Sequence, residues 1–553
     1  MRNGKALGAV LLVALVAIVV TGAAGARTTD HRGGTLKLLA KAAGGTLDPQ
    51  INYTLEYWQL YQASYDGLLA FTKAGGNAAF TTVPDLASGY TIRNGGKQWV
   101  FTLRKGIKFS NGQPLTVKDV VASFQRIFKV KSPTSGSFYS GIVGASKCLK
   151  TPATCTLAGG VIGNAKKNTV TINLTAPDPE FKYKLAVPHA SIVPASSPPT
   201  DAGTKPLPTT GPYYYASYDP NKQLVMKRNP YFHEWSHAAQ PAGYPDEITQ
   251  SYGLTVESQI TAIENGQADW TLEAPPADRL NELGTKYAPQ THVETLTAFW
   301  YAPMNVNIPP FNNLKARQAV NYAIDRNALV KIFGGPKLAV PSCQVLPPGF
   351  PGNKPYCPYT KNPGTHWSAP DVAKAKKLVA ESGQKGAKVV VISPDDEVQK
   401  AVGVYLASVL NEIGFKAKSK TISGNIAFTY AQNTKNKVQI NVQQWYQDYP
   451  AASDFLNVLF GCDSFHPGSD SSINMAGFCN KPIDRQMHQA LKLEETSFPK
   501  ANALWAKIDH EVTDQAPMAT LFTPRHIDFV SKRVGNFVFS KQFYWLVDQS
   551  WVQ

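Results

Sequence analysis

The stretch 83–129 fixes several local structures in a row. Residues 99–103, Trp-Val-Phe-Thr-Leu, alternate apolar and polar side chains, the period of a half-buried strand. Asn111-Gly112 follows, a hairpin signal because both residues tolerate positive φ. Thr116 then caps a helix, and Asp119 puts a carboxylate in its first turn, where the helix dipole favours it. Val120, Phe124, Ile127 and Phe128 form one apolar face of that helix. The whole chain has 553 residues, too many for one core, so two or three domains are expected. With 43% hydrophobic and 17% charged residues, the composition is that of a globular protein and not of a disordered one.

The charge pattern narrows the function classes. The formal charge is +16, but Lys and Arg are scattered singly and in pairs, with no dense run. That pattern suits a solvated basic surface facing an anionic cell envelope better than a nucleic-acid face. Arg2 and Lys5 precede an uncharged run from Ala6 to Ala26, which ends in the small residues Ala24-Gly25-Ala26. Residues 1–26 therefore read as a signal peptide, or, uncut, as an N-terminal anchor. An extracytoplasmic location follows. No cysteine occurs before Cys148, so no lipoprotein tether is available there. The six cysteines allow fifteen pairings in principle. They fall into three local couples, Cys148–Cys155, Cys343–Cys357 and Cys462–Cys479, and we expect these as disulfides in an oxidising compartment. Zinc ligation is the competing reading, but no couple has C-x-x-C spacing and no histidine stands at finger spacing.

The order of elements in 83–129, with those residues, resembles the family 5 solute-binding proteins of ABC importers, the dipeptide, oligopeptide and nickel binders. The resemblance continues along most of the chain. A strand at 34–39 leads to Leu47-Asp48-Pro49, then a helix at 56–69 ending in an aromatic-x-Gly-Leu-Leu segment. Residues 210–231 resemble the family's "GTGPY … RNPxYW" hairpin, and 260–270 its "ALxxGxxD" helix and turn. Residues 305–333 form the second dense match, with Asn313 capping a helix from Leu314. Helices at 371–382 and 397–413 stop at Gly383 and Gly414; strands at 388–392 and 438–443 complete a β/α alternation. A helix at 500–513 and a strand at 527–530 close the match.

The resemblance implies an α/β, two-lobed periplasmic-binding-protein-like (Venus flytrap) fold with an extra inserted domain. Carried over by motif, lobe I is 33–70, 206–298 and 519–553, inserted domain II is 71–205, and lobe III is 299–518. It also implies a site. Trp445, Asp448 and Tyr449 match a "W-x-x-D-Y" motif of oligopeptide-binding members, whose aspartate pairs with the ligand's α-ammonium group. By position, the main chains of Gln444 and Tyr446, and of Leu55 six residues beyond the Pro49 motif, would hold the ligand backbone as an added strand. Trp445 would pack on a ligand side chain. Read without the resemblance, Asp448 caps an Asx-type turn, and Trp445 and Tyr446 are core. Pro450-Ala451-Ala452 departs from the family after the motif, and no motif supplies a cation for a ligand carboxylate.

The implied function is capture of a peptide or similar small solute and delivery to a membrane permease driven by cytoplasmic ATPases, by a monomer, with no catalysis, metal or other cofactor. Two other classes remain open at this point. His233-Glu234-Trp-Ser-His237 fits H-E-x-x-H, in which two histidines one helical turn apart hold zinc and the glutamate activates water. Pro230 and Pro241 leave room for barely two turns there. The other class is a ligand sensor or scavenger without a transporter. The aromatic group Tyr53, Tyr57, Trp58 and Tyr61 has helical spacing and reads as core, as do Trp300 and Trp545.

Overall fold

Thr116 caps the helix Val117–Lys129 reciprocally: its hydroxyl accepts the Lys118 N–H at 3.3 Å, and Asp119 accepts the Thr116 N–H at 2.8 Å. Val120, Phe124, Ile127 and Phe128 are buried, and the helix packs on a four-stranded antiparallel sheet in the order Ala87–Arg93, Gln98–Leu103, Thr169–Asn173, Val161–Asn164. The Asn111-Gly112 turn is present, but only Gly112 takes a positive φ (+85°), and its arms make a single bridge between Lys108 and Pro114. Pro114 has no N–H to extend a ladder. The computed structural model describes residues 31–276, 278–468 and 472–553. The predicted signal segment 1–26 lies outside them.

Two five-stranded sheets and one three-stranded sheet follow, with three two-stranded sheets besides them among the described residues. The first has the order Trp270–Thr271, Thr35–Ala40, Glu247–Tyr252, Gln223–Arg228, Tyr213–Asp219, and Thr35–Ala40 runs parallel to both neighbours. The second is antiparallel: Thr291–Thr295, Met518–Phe529, Ala298–Pro303, Gln443–Tyr446. The third is parallel: Lys416–Ile422, Lys388–Pro394, Ile440–Asn441. The strand expected at 438–443 is thus divided. Ile440–Asn441 belongs to the parallel sheet, and after Val442 the chain changes sheets. Residues 32–553 pack as one compact unit.

The helix expected at 56–69 is shorter, Leu55–Tyr61. Tertiary ties replace its last turns. Tyr65 donates to the Leu207 carbonyl at 2.9 Å, and Asp66 accepts from Thr210 at 2.6 Å and from Gln240 at 2.5 Å. A Cβ on Gly67 would lie 2.8 Å from the Leu185 carbonyl oxygen, so only glycine fits.

Cys148–Cys155, Cys343–Cys357 and Cys462–Cys479 are bonded, with Cα separations of 4.6, 4.9 and 4.6 Å. Trp300 and Trp545 are core. No helix among the described residues is long and apolar enough to cross a membrane.

Candidate functional site

The Gln443–Tyr446 strand is an edge strand, paired only with Ala298–Pro303. In an antiparallel pair, alternate residues turn both main-chain groups toward the partner and the residues between turn both away. The Gln447 N–H donates to the Thr297 carbonyl at 3.1 Å, and the register pairs Trp445 with Phe299 and Gln443 with Tyr301. Gln447, Trp445 and Gln443 therefore face the sheet, and Gln444 and Tyr446 point their N–H and C=O outward. Val442 continues the outward series and donates to the Ile392 carbonyl at 2.9 Å. Beyond it the neighbouring strand ends, at Pro394, and no described strand lies beside Gln444 and Tyr446.

The open edge runs straight into Asp448, whose main chain is fixed from both sides. Its N–H donates to Asp454 Oδ2 at 2.9 Å, and its carbonyl accepts the Gln542 amide at 2.8 Å. The side chain does not cap the turn. It is buried, and Oδ2 accepts the Tyr53 hydroxyl at 2.5 Å, a contact between residues 395 apart in the chain. Burial pushes the Asp448 carboxyl up to about 7, and the Tyr53 hydrogen bond opposes that rise. Asp454, fully buried on the helix Ser453–Phe460, is driven well above the carboxylate range by burial and then by the Asp448 charge. Asp448 accepts the Tyr53 hydroxyl and Asp454 accepts the Asp448 N–H, and two adjoining buried carboxyls do not ionise independently.

Tyr53 is presented by a segment the chain holds rigidly. Asp48 is fully buried and forms a two-pronged ion pair with Arg126, including Nη1 to Oδ1 at 3.0 Å. Asp48 also accepts the Gln50 N–H at 3.0 Å, and Asn52 donates to the carbonyls of Gly44 and Thr46 at 2.8 and 2.7 Å. The Asn52 carbonyl in turn accepts the Trp58 indole N–H at 2.8 Å and lies 3.0 Å from His189 Nε2. Sequence reading missed both Arg126 and Tyr53. Arg126 had one available signal, an arginine among the apolar positions of the 117–129 helix.

The remaining expected site residues divide. Leu55 and Tyr446 pack, partly buried, against one apolar cluster of Leu296, Ala298, Phe539 and Tyr544, so the two segments meet there. Trp445 goes elsewhere. It is 7% exposed and sits in the core with Phe299, Tyr301 and Phe455, because a strand sends successive side chains to opposite faces. This core placement is the one the residues alone suggested. Tyr449 enters a different aromatic group, stacked on Tyr183 at 6.2 Å and edge-on to Phe138 at 5.6 Å. Tyr57, Trp58 and Tyr61 are core as expected, but Tyr53 departs from them: it is 41% exposed, with its hydroxyl end turned inward to Asp448.

The H-E-x-x-H segment is not a helix. Residues 233–237 lie in turns closed by a bridge between Ser236 and Gln240. Glu234 is spent on its surroundings, accepting the Ala242 N–H at 2.8 Å and contacting His237 Nδ1 at 3.0 Å. Trp235 donates to Asp85 at 2.9 Å. Without helical spacing the two histidines share no face, and no metal-binding group of three or more such side chains occurs among the described residues. The zinc-hydrolase reading is lost with the helix it needs.

Comparison with known proteins agrees with this architecture. The family model of bacterial extracellular solute-binding proteins, family 5 (middle), matches residues 81–466. The periplasmic oligopeptide-binding protein OppA of Escherichia coli is 26% identical over 462 residues, covering 80% of this chain and 79% of its own. The probable deoxycholate-binding periplasmic protein YgiS of Escherichia coli is 24% identical over 524 residues, covering 90% and 91%. Among solved structures, clavulanic acid biosynthesis oligopeptide binding protein 2 superposes with a TM-score of 0.83 at 23% identity, covering 94% of this chain and 96% of that one. DppA from Helicobacter pylori, in complex with the peptide STSA, gives 0.75 at 19% identity, covering 94% and 99%. At these identities the structural likeness speaks for the fold: a periplasmic-binding-protein fold of mixed α/β type.

Proposed function

The chain belongs to the family 5 bacterial extracellular solute-binding proteins, and from that premise we propose that its ligand is a peptide or a similar amine-bearing solute, anchored by Asp448. The observation that carries this reading is the junction of an open strand edge with a buried carboxyl group. Gln444 and Tyr446 offer main-chain donors and acceptors that bind any peptide backbone regardless of side chain. Asp448 supplies the one feature that sets register, because a buried ammonium group needs a charged partner. Leu55, against the same apolar cluster as Tyr446, brings the 48–55 segment to the opposite side. Oligopeptide binding by the relative OppA supports the same ligand class.

The proposed lobes are 33–70 with 206–298 and 519–553, and 299–518, with 71–205 inserted as a further domain. The first sheet supports the discontinuous lobe, since it joins Thr35–Ala40 to strands from 213–271. The second sheet crosses the boundary, because Met518–Phe529 lies between Thr291–Thr295 and Ala298–Pro303; this is where a hinge belongs. Ligand contacts both segments only when they are together, so binding shifts the population toward the closed form. The closed form, a monomer exported behind the 1–26 segment, then docks on permease subunits. No chemistry is done on the ligand. Native mass spectrometry of protein purified from its own medium tests the assignment. The expected result is a co-purified small molecule with a cationic nitrogen. A bound ligand without one overturns the role given to Asp448.

A further inference from the structure

Asp448 faces an unusual set of neighbours for a cation anchor. Tyr53 approaches it from the 48–54 segment, Tyr139 from the 71–205 region, and Tyr449 and Asp454 from its own segment, with Glu180 beyond Asp454. No Lys or Arg among the described residues pairs with it. The only side-chain hydrogen bond its carboxylate receives among the described residues is the Tyr53 hydroxyl on Oδ2. Tyr139 is turned elsewhere and donates to the Lys184 carbonyl at 2.8 Å. We propose that Tyr53 is a positioning residue: from the opposite segment it grips one carboxylate oxygen of Asp448, keeps the group ionised in its buried setting, and leaves the second oxygen to the ligand's amine. The inference rests on Asp448 being the amine anchor, and it adds that the Tyr53 hydroxyl opposes the rise that burial imposes on the carboxyl when the 48–55 and 443–454 segments are together.

A hydroxyl donor stabilises the charged form of a carboxylate, and a phenylalanine ring cannot. The Tyr53 ring is held independently, 5.4 Å from Trp58 and 5.1 Å from His189, so Tyr53→Phe removes the donor and keeps the packing. The test is a pH titration of ligand-free protein carrying 13C-carboxyl aspartate, read by NMR, with Asp448→Asn identifying the Asp448 signal. The expected result is an upward move of its midpoint by about one pH unit in Tyr53→Phe. Tyr53→Leu moves it the same way, and Tyr139→Phe leaves it within a few tenths. An unmoved midpoint in Tyr53→Phe, or an equal move in Tyr139→Phe, overturns the proposal. Because no ligand is present, this outcome is separate from whether Asp448 binds an amine, which the affinity of Asp448→Asn decides.

Discussion

Asp448 is held at four points, and each does a different job. Its main chain is fixed by Asp454 and Gln542, one carboxylate oxygen is fixed by Tyr53, and burial excludes water. A cation buried against such a group loses its only compensation when the carboxylate is removed. Asp448→Asn, which keeps shape and removes charge, is therefore expected to weaken an amine-bearing ligand by about 2–5 kcal/mol, measured by calorimetry with the co-purified ligand. Unchanged affinity would remove Asp448 from the site. The aspartate was singled out by the resemblance of Trp445, Asp448 and Tyr449 to a family motif, while the residues alone suggested a turn cap. Its partner was not. Tyr53 sits among aromatic residues at helical spacing, and nothing local distinguishes it from Tyr57 or Tyr61, which are core. Only the fold brings a residue 395 positions away to Asp448. Trp445 is turned inward by strand alternation, which was readable from the same residues.

At the scale of the element, the site is an edge left open by a change of sheets. Val442 is the pivot. Its N–H still belongs to the parallel sheet through Ile392, and the next residues pair only with Ala298–Pro303. The sequence showed a single alternation of β-branched and polar residues there, Val438 to Gln443, and an unbroken alternation has no mark for where one sheet hands over to another. The helices were more legible, because their signals are local: Thr116 and Asn313 cap where expected, and Asp371 and Asp396 also cap their helices, with side-chain acceptors at the first turn. The alternation in the edge strand makes a sharp pair of predictions. Proline at 444 deletes an N–H that points away from the sheet; proline at 443 deletes one that points into it. Gln444→Pro should keep most of the thermal stability and lose about five- to tenfold in ligand affinity, as expected for a lost main-chain hydrogen bond of roughly 1–1.5 kcal/mol. Gln443→Pro should cost about 3 kcal/mol in denaturant unfolding. If both variants lose affinity equally while folding equally well, the ligand does not use this edge.

At the scale of the whole molecule, distant segments meet at an acidic seam. Residues 178–184 meet the helices Ser453–Phe460, Lys481–Glu494 and Phe498–Gln515, and the Glu180 and Glu494 carboxyls face each other there, both nearly inaccessible. Ser453 donates to Glu180 at 2.5 Å and Trp505 donates to Glu494 at 2.7 Å. Lys184 is paired with Asp178 at 2.7 Å, and Lys182 lies over the Tyr183 and Phe498 rings. Two buried carboxyls in contact cannot both ionise, and burial with the Glu180 charge pushes Glu494 up to about 9. The sign follows from proton counting. Between the unfolded carboxyl value of about 4.3 and about 9, the folded protein holds a proton that the unfolded chain has released, so stability falls as pH rises through that window. Glu494→Gln keeps the hydrogen-bonding shape and cannot ionise. Its melting temperature should therefore exceed that of the unmodified protein at pH 9, with little difference at pH 5, and its stability should depend less on pH between the two. Because the seam joins residues 178–184 to the helix that follows Asp448, ligand dissociation from the unmodified protein should also accelerate toward pH 9, and stopped-flow release should show Glu494→Gln resisting it. A variant that melts lower than the unmodified protein at pH 9, or follows the same pH slope, would mean that the proton on this pair does not hold the seam together.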